Sequence, residues 1–360
     1  MNNIKKIFLA LTGAVFLSST AYAGDLTVTG AAKASYRINS SDSTTGAVNS
    51  GKGIGIGNEI TFGATGELDN GIAWKYSMDF DNADRSATSG GIDDSRLEFT
   101  TTVGTIGIYG SEGSLRAAAL GWDVSAFGAG SDNGTGGGMI LGSEISSYNN
   151  LQYHTPADLL PFGIVVKAAH SPDADSGPVD FKGAGAQGDV KFAAWDGTAA
   201  RTGANYSSVS QFLVEAAPID GLVVKLDYTD FSHDAAANDA EEGHASLKYA
   251  YGPVTVGYGR GWIAPVNDKA AGSVDHFENS SMGVGFKVND AFSLSYTVEQ
   301  SQLELNTSSA AEVELELTSI QAAYNIGGAT IAISQDDISN ANYTLAKDTK
   351  ETLVTMVMAF

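Results

Sequence analysis

The side chains that most often carry catalysis are present, but they are not grouped as catalysis requires. The histidines are scattered through the chain: His154, His170, His233, His244 and His276. None lies in the H-E-x-x-H spacing of zinc hydrolases, and there is no G-x-S-x-G element and no cysteine. The adjacent carboxylates Asp93–Asp94 and Asp336–Asp337 would point to opposite faces of a strand, so neither pair forms an acid/base couple. We therefore predict that the protein is not an enzyme and has no metal-binding active site.

The composition excludes further classes. Asp and Glu number 42 against 20 Lys and Arg, a formal charge of −22, which argues against a nucleic-acid partner. Hydrophobic residues make up 43% and charged residues 17%, so the chain is expected to fold. No internal apolar run is long enough for a transmembrane helix. No cofactor is required, although the acidic loops could bind calcium, a hard cation that prefers oxygen ligands.

The first 23 residues have the pattern of a secretory signal peptide. Lys5 and Lys6 precede an apolar run over residues 7–17, and Ala21-Tyr22-Ala23 resembles a cleavage site. We predict a signal peptide at 1–23 and one folded domain at 24–360, which makes this an exported protein.

Apolar and polar residues alternate with a period of two in the remainder of the chain. Between residues 71 and 81 the apolar positions are Ile72, Trp74, Tyr76, Met78 and Phe80. Comparable alternation recurs at 26–38, 222–228, 282–288, 292–298 and 350–360. No stretch of similar length has a 3.6-residue period, so the chain is predicted to be all-β.

The alternating segments predict sixteen strands: 25–38, 54–67, 71–81, 93–102, 105–111, 147–154, 162–170, 206–217, 221–232, 242–252, 254–263, 277–288, 291–304, 313–326, 329–337 and 350–360. Tight turns alternate with long loops between them, which is typical of a membrane β-barrel. A hairpin around 190–195 would raise the count to eighteen. An exported β-sandwich or β-solenoid would also alternate. Against a sandwich, nearly every strand has an apolar face and long helices are absent; against a calcium-binding solenoid, the glycine-rich residues 134–138 are a single patch without a repeat. An antiparallel transmembrane β-barrel is therefore the favoured fold.

Several short motifs resemble one family of membrane proteins. The last strand ends on alternating apolar residues and a terminal aromatic: Val354, Met356, Met358 and Phe360. Residues 147–156 (SYNNLQYHTP) are similar to the strand after the third loop of general diffusion porins, and 106–110, 114–116 and 122–123 to the entry into that loop. Residues 24–30 (GDLTVTG) look like the start of a mature porin. Together they resemble the trimeric, alphaproteobacterial type of Gram-negative general diffusion porins.

The resemblance implies a water-filled outer-membrane channel for passive diffusion of ions and small hydrophilic solutes. The third loop, here 112–146, would fold inward and narrow the pore. Its carboxylates would be Glu112, Asp123, Asp132 and Glu144, and they would face wall bases at Lys33, Arg37, Lys75 and Arg96. By the same resemblance the chain would form a homotrimer in outer-membrane lipid, and its C-terminal signal would address it to the barrel-assembly machinery.

The residues themselves support parts of this assignment and leave alternatives open. Lys and Arg on the lipid face near midplane would cost about 2–4 kcal/mol each, so period-two placement toward the lumen is expected. Two of the four wall bases are lysines, which departs from the arginine-rich family pattern, and Arg116 lies inside the acidic loop. Simple solvation would explain any one of these charges equally well. The net charge favours cations, whereas the inward-facing lysines Lys167, Lys225, Lys248 and Lys287 favour anions; on balance a cation preference is expected. The alternative function is an exported, non-channel β-structural or adhesive surface protein.

Overall fold

A computed structural model describes residues 24–41, 51–81, 91–110, 112–115, 118–133, 136–142, 145–172, 206–233, 239–265, 274–306 and 312–360. The predicted signal peptide at 1–23 lies outside these ranges, as does the hairpin considered at 190–195. Among the described residues, no helix has the length and apolar character needed to cross a membrane.

The described chain consists almost entirely of strands. They are β1 (Leu26–Ser41), β2 (Gly51–Glu67), β3 (Ala73–Asp81), β4 (Gly91–Thr101), β5 (Gly104–Gly110), β6 (Asn150–His154), β7 (Val165–Ser171), β8 (Tyr206–Ile219), β9 (Leu222–His233), β10 (Ala240–Tyr251), β11 (Val254–Ala264), β12 (Val274–Lys287), β13 (Phe292–Leu305), β14 (Val313–Ile326), β15 (Ala329–Ser339) and β16 (Thr349–Ala359). A one-turn helix, α1 (Gly130–Asn133), lies in the third loop. Single 3₁₀ turns occur at Gly136–Gly138, Ile145–Ser147, Pro161–Gly163 and Ala341–Tyr343.

Each strand pairs antiparallel with its neighbours in sequence, and β1 pairs with β16 to close the sheet. The closure ends in two backbone hydrogen bonds between Gly30 and Phe360, of 2.8 and 2.9 Å. Closure leaves no free sheet edge, which is the condition for a sheet to lie in lipid. The prediction of a sixteen-stranded antiparallel barrel is confirmed. The largest boundary differences are about three positions, the usual error at element ends. They occur at the last residue of β1 and at the first residues of β2, β6, β7 and β12.

The outer face of the barrel is apolar. Side chains at alternate positions of neighbouring strands are exposed, including Leu226, Leu247, Val256, Met282, Tyr296 and Ile320. Val354, Met356, Met358 and Phe360 belong to this face, as their spacing predicts. Such a continuous apolar band is the surface that a hydrocarbon layer covers. Below, the barrel end with short connections is called the turn end and the end with long connections the loop end.

Part of the lumen is filled by a hydrophobic core. Near the loop end, inward-facing side chains of β7–β15 pack against the third loop and the last loop (residues 340–348). This core contains Leu115, Ile145, Tyr148, Leu213, Phe231, Ile263, Phe277, Leu315, Leu317, Ile338 and Tyr343. The sequence pattern predicted a polar inner face and missed this core, because parity identifies which residues face inward but not which of them a returning loop will cover.

Candidate pore constriction

The third loop lies inside the barrel and is attached to the wall opposite its own strands. The backbone N–H of Ala118 donates to Asp227 Oδ2 on β9 at 3.0 Å, and that of Ala126 donates to Ser295 Oγ on β13 at 2.8 Å. The N–H groups of Phe127 and Ile145 likewise donate to Gln321 and Gln211. In the opposite direction, Asn279 Nδ2 donates to the carbonyl oxygen of Ile140. The loop therefore crosses the lumen and follows the wall from β8 to β14.

The helix α1 is fixed to the same wall by a buried carboxylate. Glu299 of β13 is 1% exposed and accepts hydrogen bonds from both the backbone N–H and the hydroxyl of Ser131. Gly130 leaves room for this approach, since a Cβ there would lie 2.4 Å from Leu317 Cδ2.

Tyr343 of the last loop is hydrogen-bonded to the third loop and so helps to hold it in the lumen. Its Oη accepts a hydrogen bond from the N–H of Ile140 at 3.0 Å and lies 2.6 Å from Ser301 Oγ. Its ring packs against Phe277 with centroids 5.3 Å apart. Burial raises the pKa of Tyr343 to about 12, so the hydroxyl stays protonated at physiological pH. Left-handed backbone at Asn340, Asn342, Tyr343 and Ala346 directs this ring into the core.

One predicted pair of opposite charges is in contact. Arg96 Nη1 of β4 lies 2.9 Å from Glu112 Oε1, at the start of the third loop. Burial raises the pKa of Glu112, and the positive charge of Arg96 works against this increase. Both side chains are partly exposed to the lumen.

The other wall bases have different surroundings. Lys33 Nζ of β1 lies over the ring of Phe127, 5.4 Å from its centroid, in cation–π geometry. Arg37 Nε lies 2.9 Å from Glu351 Oε1 on β16. Lys75 of β3 stands beside Glu98 of β4 in the strand register. All three bases lie on the inner face. Their neighbours are carboxylates of the barrel wall and one aromatic ring of the third loop, whereas the sequence predicted that they would face carboxylates of the third loop.

The other predicted loop carboxylates are Asp123, Asp132 and Glu144, and none of them has a described contact with the predicted wall bases. Asp123 Oδ1 accepts the N–H of Ser125 at 2.8 Å, and the Asp123 carbonyl lies 3.4 Å from Lys248 Nζ. Asp132 is in α1. Glu144 and Arg116 lie outside the described residues. The described residues contain no group of three or more His, Asp or Glu side chains that could hold a metal ion, and calcium binding by the loops stays a prediction.

A sequence profile described as Gram-negative porin matches residues 10–271, well over half of the chain. The protein belongs to the Gram-negative porin family. Among solved structures, OmpF of Salmonella typhi in complex with daunomycin superposes with a TM-score of 0.67 at 11% identity, covering 95% of this chain and 100% of that one. A loop L8 deletion mutant of OmpT from Vibrio cholerae gives 0.66 at 15% identity, covering 94% and 100%. An anion-selective porin from Comamonas acidovorans gives 0.62 at 11% identity, covering 93% and 99%.

No curated protein matches the sequence significantly. At these identities the solved structures show the fold alone, and the family assignment rests on the profile. The protein is thus an outer-membrane porin, a water-filled channel for passive diffusion of ions and small hydrophilic solutes. No observation favours the adhesive alternative, and the family and fold indicate a non-enzymatic channel.

The C-terminal residue of the porin is part of the barrel seam. A Cβ at Gly30 would lie 2.8 Å from Phe360 Cε2 and Cζ, so the Phe360 ring covers Gly30. Together with the backbone hydrogen bonds between the two residues, this contact closes the sheet at the turn end.

Sequence reasoning missed several pore-wall residues of the porin. Glu98 accepts a 2.6 Å hydrogen bond from Tyr109 Oη, and Glu351 pairs with Arg37. Asp227 accepts from His244 Nδ1 at 2.8 Å as well as from the third loop. Parity alone would have placed Glu98, Asp227 and Glu351 on the inner face. It could not have shown that Asp227 holds the loop.

Proposed function

We propose that this porin prefers cations and that selection takes place between the third loop and the wall formed by β16 and β1–β5. Both arginines of this wall have their charge compensated, since Arg37 and Arg96 each lie 2.9 Å from a carboxylate. Lys75 is opposite Glu98 in the strand register, whereas Lys33 lies over an aromatic ring and keeps its net charge. This compensation is the observation that carries the proposal.

The surrounding charge is negative. Lumen-facing carboxylates on the same wall include Glu59, Asp79 and Glu98, and the chain as a whole carries −22. Across a narrow pore such charges act within the Debye length of about 8 Å, so they attract cations even at physiological ionic strength. A pore in which paired bases face a negative field is expected to pass cations faster than anions.

The reversal potential in a salt gradient across a planar bilayer tests this proposal. We expect a cation-selective potential for the wild type. Replacing Lys33, Arg37, Lys75 and Arg96 together by Gln should increase the cation preference, because the wall carboxylates lose their partners. The control is Lys350→Gln, which removes a base on the outer face that pairs with Asp337 at 3.3 Å. An anion-selective wild type, or unchanged selectivity in the quadruple variant, would refute the proposal.

We further propose that the porin is a homotrimer in outer-membrane lipid. A trimer form of Vibrio cholerae OmpT superposes with a TM-score of 0.62 at 14% identity, covering 94% of this chain and all of that one. The strands β5, β6 and β7 have only seven, five and seven residues. About 9–11 residues are needed to cross a bilayer, so this part of the wall is expected to lie against other copies of the chain.

The trimer is tested by electrophoresis of unheated, detergent-extracted protein and by its mass in detergent. A trimer mass that falls to the monomer on heating supports the proposal, and a folded monomer contradicts it. We also propose that the barrel-assembly machinery recognises the last strand, because its alternate apolar side chains, Val354, Met356, Met358 and Phe360, are exposed on the outer face.

A further inference from the structure

The lumen wall contains two sets of glycines with opposite surroundings. The first set, called the seat glycines, consists of Gly257 and Gly259 on β11 and Gly283 and Gly285 on β12. A Cβ on Gly257 would lie 1.8 Å from the carbonyl oxygen of Trp122, and one on Gly259 would lie 2.6 Å from Trp122 Cδ1. A Cβ on either of the other two would come within 3 Å of Val124. The third loop therefore rests directly on the wall where side chains are missing.

The second set is on β2, on the other side of the lumen. Gly57 pairs in register with Lys33, whose ammonium lies over Phe127 of the third loop. Paired residues of neighbouring strands point to the same face, so Gly57 faces the lumen at the level of the loop. A Cβ at Gly57 would meet nothing within 4 Å, and the same holds for Gly51.

We propose that Gly57 determines the size limit of the pore. The seat glycines let the third loop lie flat against β11 and β12, and the hydrophobic core fills the lumen near the loop end along β7–β15. The free cross-section at the level of the loop is then next to β1 and β2. Gly57 is the side-chain-free wall residue in register with Lys33, and Gly53 and Gly55 extend the same bare face of β2 toward the loop end. The size limit would apply to any hydrated solute whose width approaches that of this gap.

The inference rests on the channel function but not on its ion preference. A neutral side chain at position 57 narrows the gap without adding charge. It should therefore change conductance and solute size cut-off and leave the reversal potential unchanged, whereas failure of the proposed cation preference would appear in the wild type.

The test is Gly57→Gln, purified as the wild type is. Single-channel conductance is expected to fall to about half or less, because the side chain occupies the narrowest part of the path. Liposome swelling with uncharged mono-, di- and trisaccharides should show a lower size cut-off. The matched control is Gly51→Gln on the same face of β2, about 20 Å nearer the loop end along the strand, which should leave both unchanged.

A second variant approaches the gap from the opposite side. Gly259→Ala places a methyl group against Trp122 and should push the third loop toward β2, which also lowers conductance. Heat-modifiable migration in electrophoresis shows that each variant is folded. Should folded Gly57→Gln conduct and admit sugars as the wild type does, Gly57 does not line the narrowest passage and the inference fails. Equal losses for Gly51→Gln and Gly57→Gln would also overturn it, because the effect would then not depend on the level of the loop.

Discussion

The hydroxyl of Tyr343 offers a direct test of how the third loop is held. The substitution Tyr343→Phe removes one oxygen and keeps the ring that packs on Phe277. The Ile140 N–H then loses its acceptor, and Ser301 loses a partner at 2.6 Å. Two lost hydrogen bonds of about 1 kcal/mol each give about 2 kcal/mol as a lower figure, since an unpaired buried N–H costs about 1–3 kcal/mol by itself.

A loss of this size should increase the fraction of molecules in which the segment of the third loop around Ile140 is detached from the wall, relative to the wild type. About 2 kcal/mol corresponds to about 30-fold, since every 1.4 kcal/mol is a factor of ten. The chain has no cysteine, so a single introduced thiol can report on detachment. Leu315 of β14 is a suitable position, because it is 0% exposed, pairs in register with Ser301 and belongs to the core that Ile140 covers.

The assay is the rate at which a charged, water-soluble thiol reagent modifies Leu315→Cys, with and without Tyr343→Phe. We expect the rate to increase about 30-fold in the double variant. Tyr324→Phe in the same cysteine background is the control, because Tyr324 is on the outer face. A change of less than threefold for Tyr343→Phe, or an equal change for Tyr324→Phe, would refute the assigned role of the hydroxyl.

Three further predictions concern the seam, the pH response and the loop attachment. Phe360→Ala should lower the amount of heat-modifiable barrel in outer membranes, because the ring covers Gly30 at the seam between β1 and β16; normal yields would contradict this. Burial raises the pKa of Glu112, so on acidification this carboxylate becomes neutral before ordinary ones do. Cation preference should therefore decrease at a pH above the usual carboxylate range, and Glu112→Gln should abolish that early step; an identical pH profile would argue against it. Asp227→Ala leaves the buried N–H of Ala118 without its acceptor and should cost about 1–3 kcal/mol of loop attachment. It should increase open-channel current noise, while Asp220→Ala in the turn between β8 and β9 should not; equal noise in both variants would refute the attachment.

Most of the fold could be predicted because its determinants are local. Alternation along a strand follows from backbone geometry, so Lys33 and Arg37 could be assigned to one face and Tyr36 and Ile38 to the other without knowing their neighbours. Tight turns and long loops then ordered the strands, and the apolar residues of β16 with Phe360 indicated a membrane barrel.

The candidate site was only partly predictable. Glu112 and Arg96 are 16 residues apart and lie on one lumen wall at the junction of β5 and the third loop, so parity and loop position sufficed to propose them. Arg37 was expected to face loop carboxylates, but it pairs with Glu351, more than 300 residues away, through the closure of the barrel. Lys33 meets the aromatic ring of Phe127, a partner that charge reasoning does not consider.

The sequence by itself determined the strand number, the two faces of the sheet and the presence of a long third loop, because side-chain period and turn chemistry are properties of neighbouring residues. Only the tertiary structure decided where that loop lies. Its attachments join residues separated by 109 positions at Asp227 and 203 at Tyr343, and its seat depends on glycines that look like ordinary strand residues in the sequence. Such contacts depend on which surfaces meet after the barrel has closed, and so the open passage beside Gly57 became visible only in three dimensions.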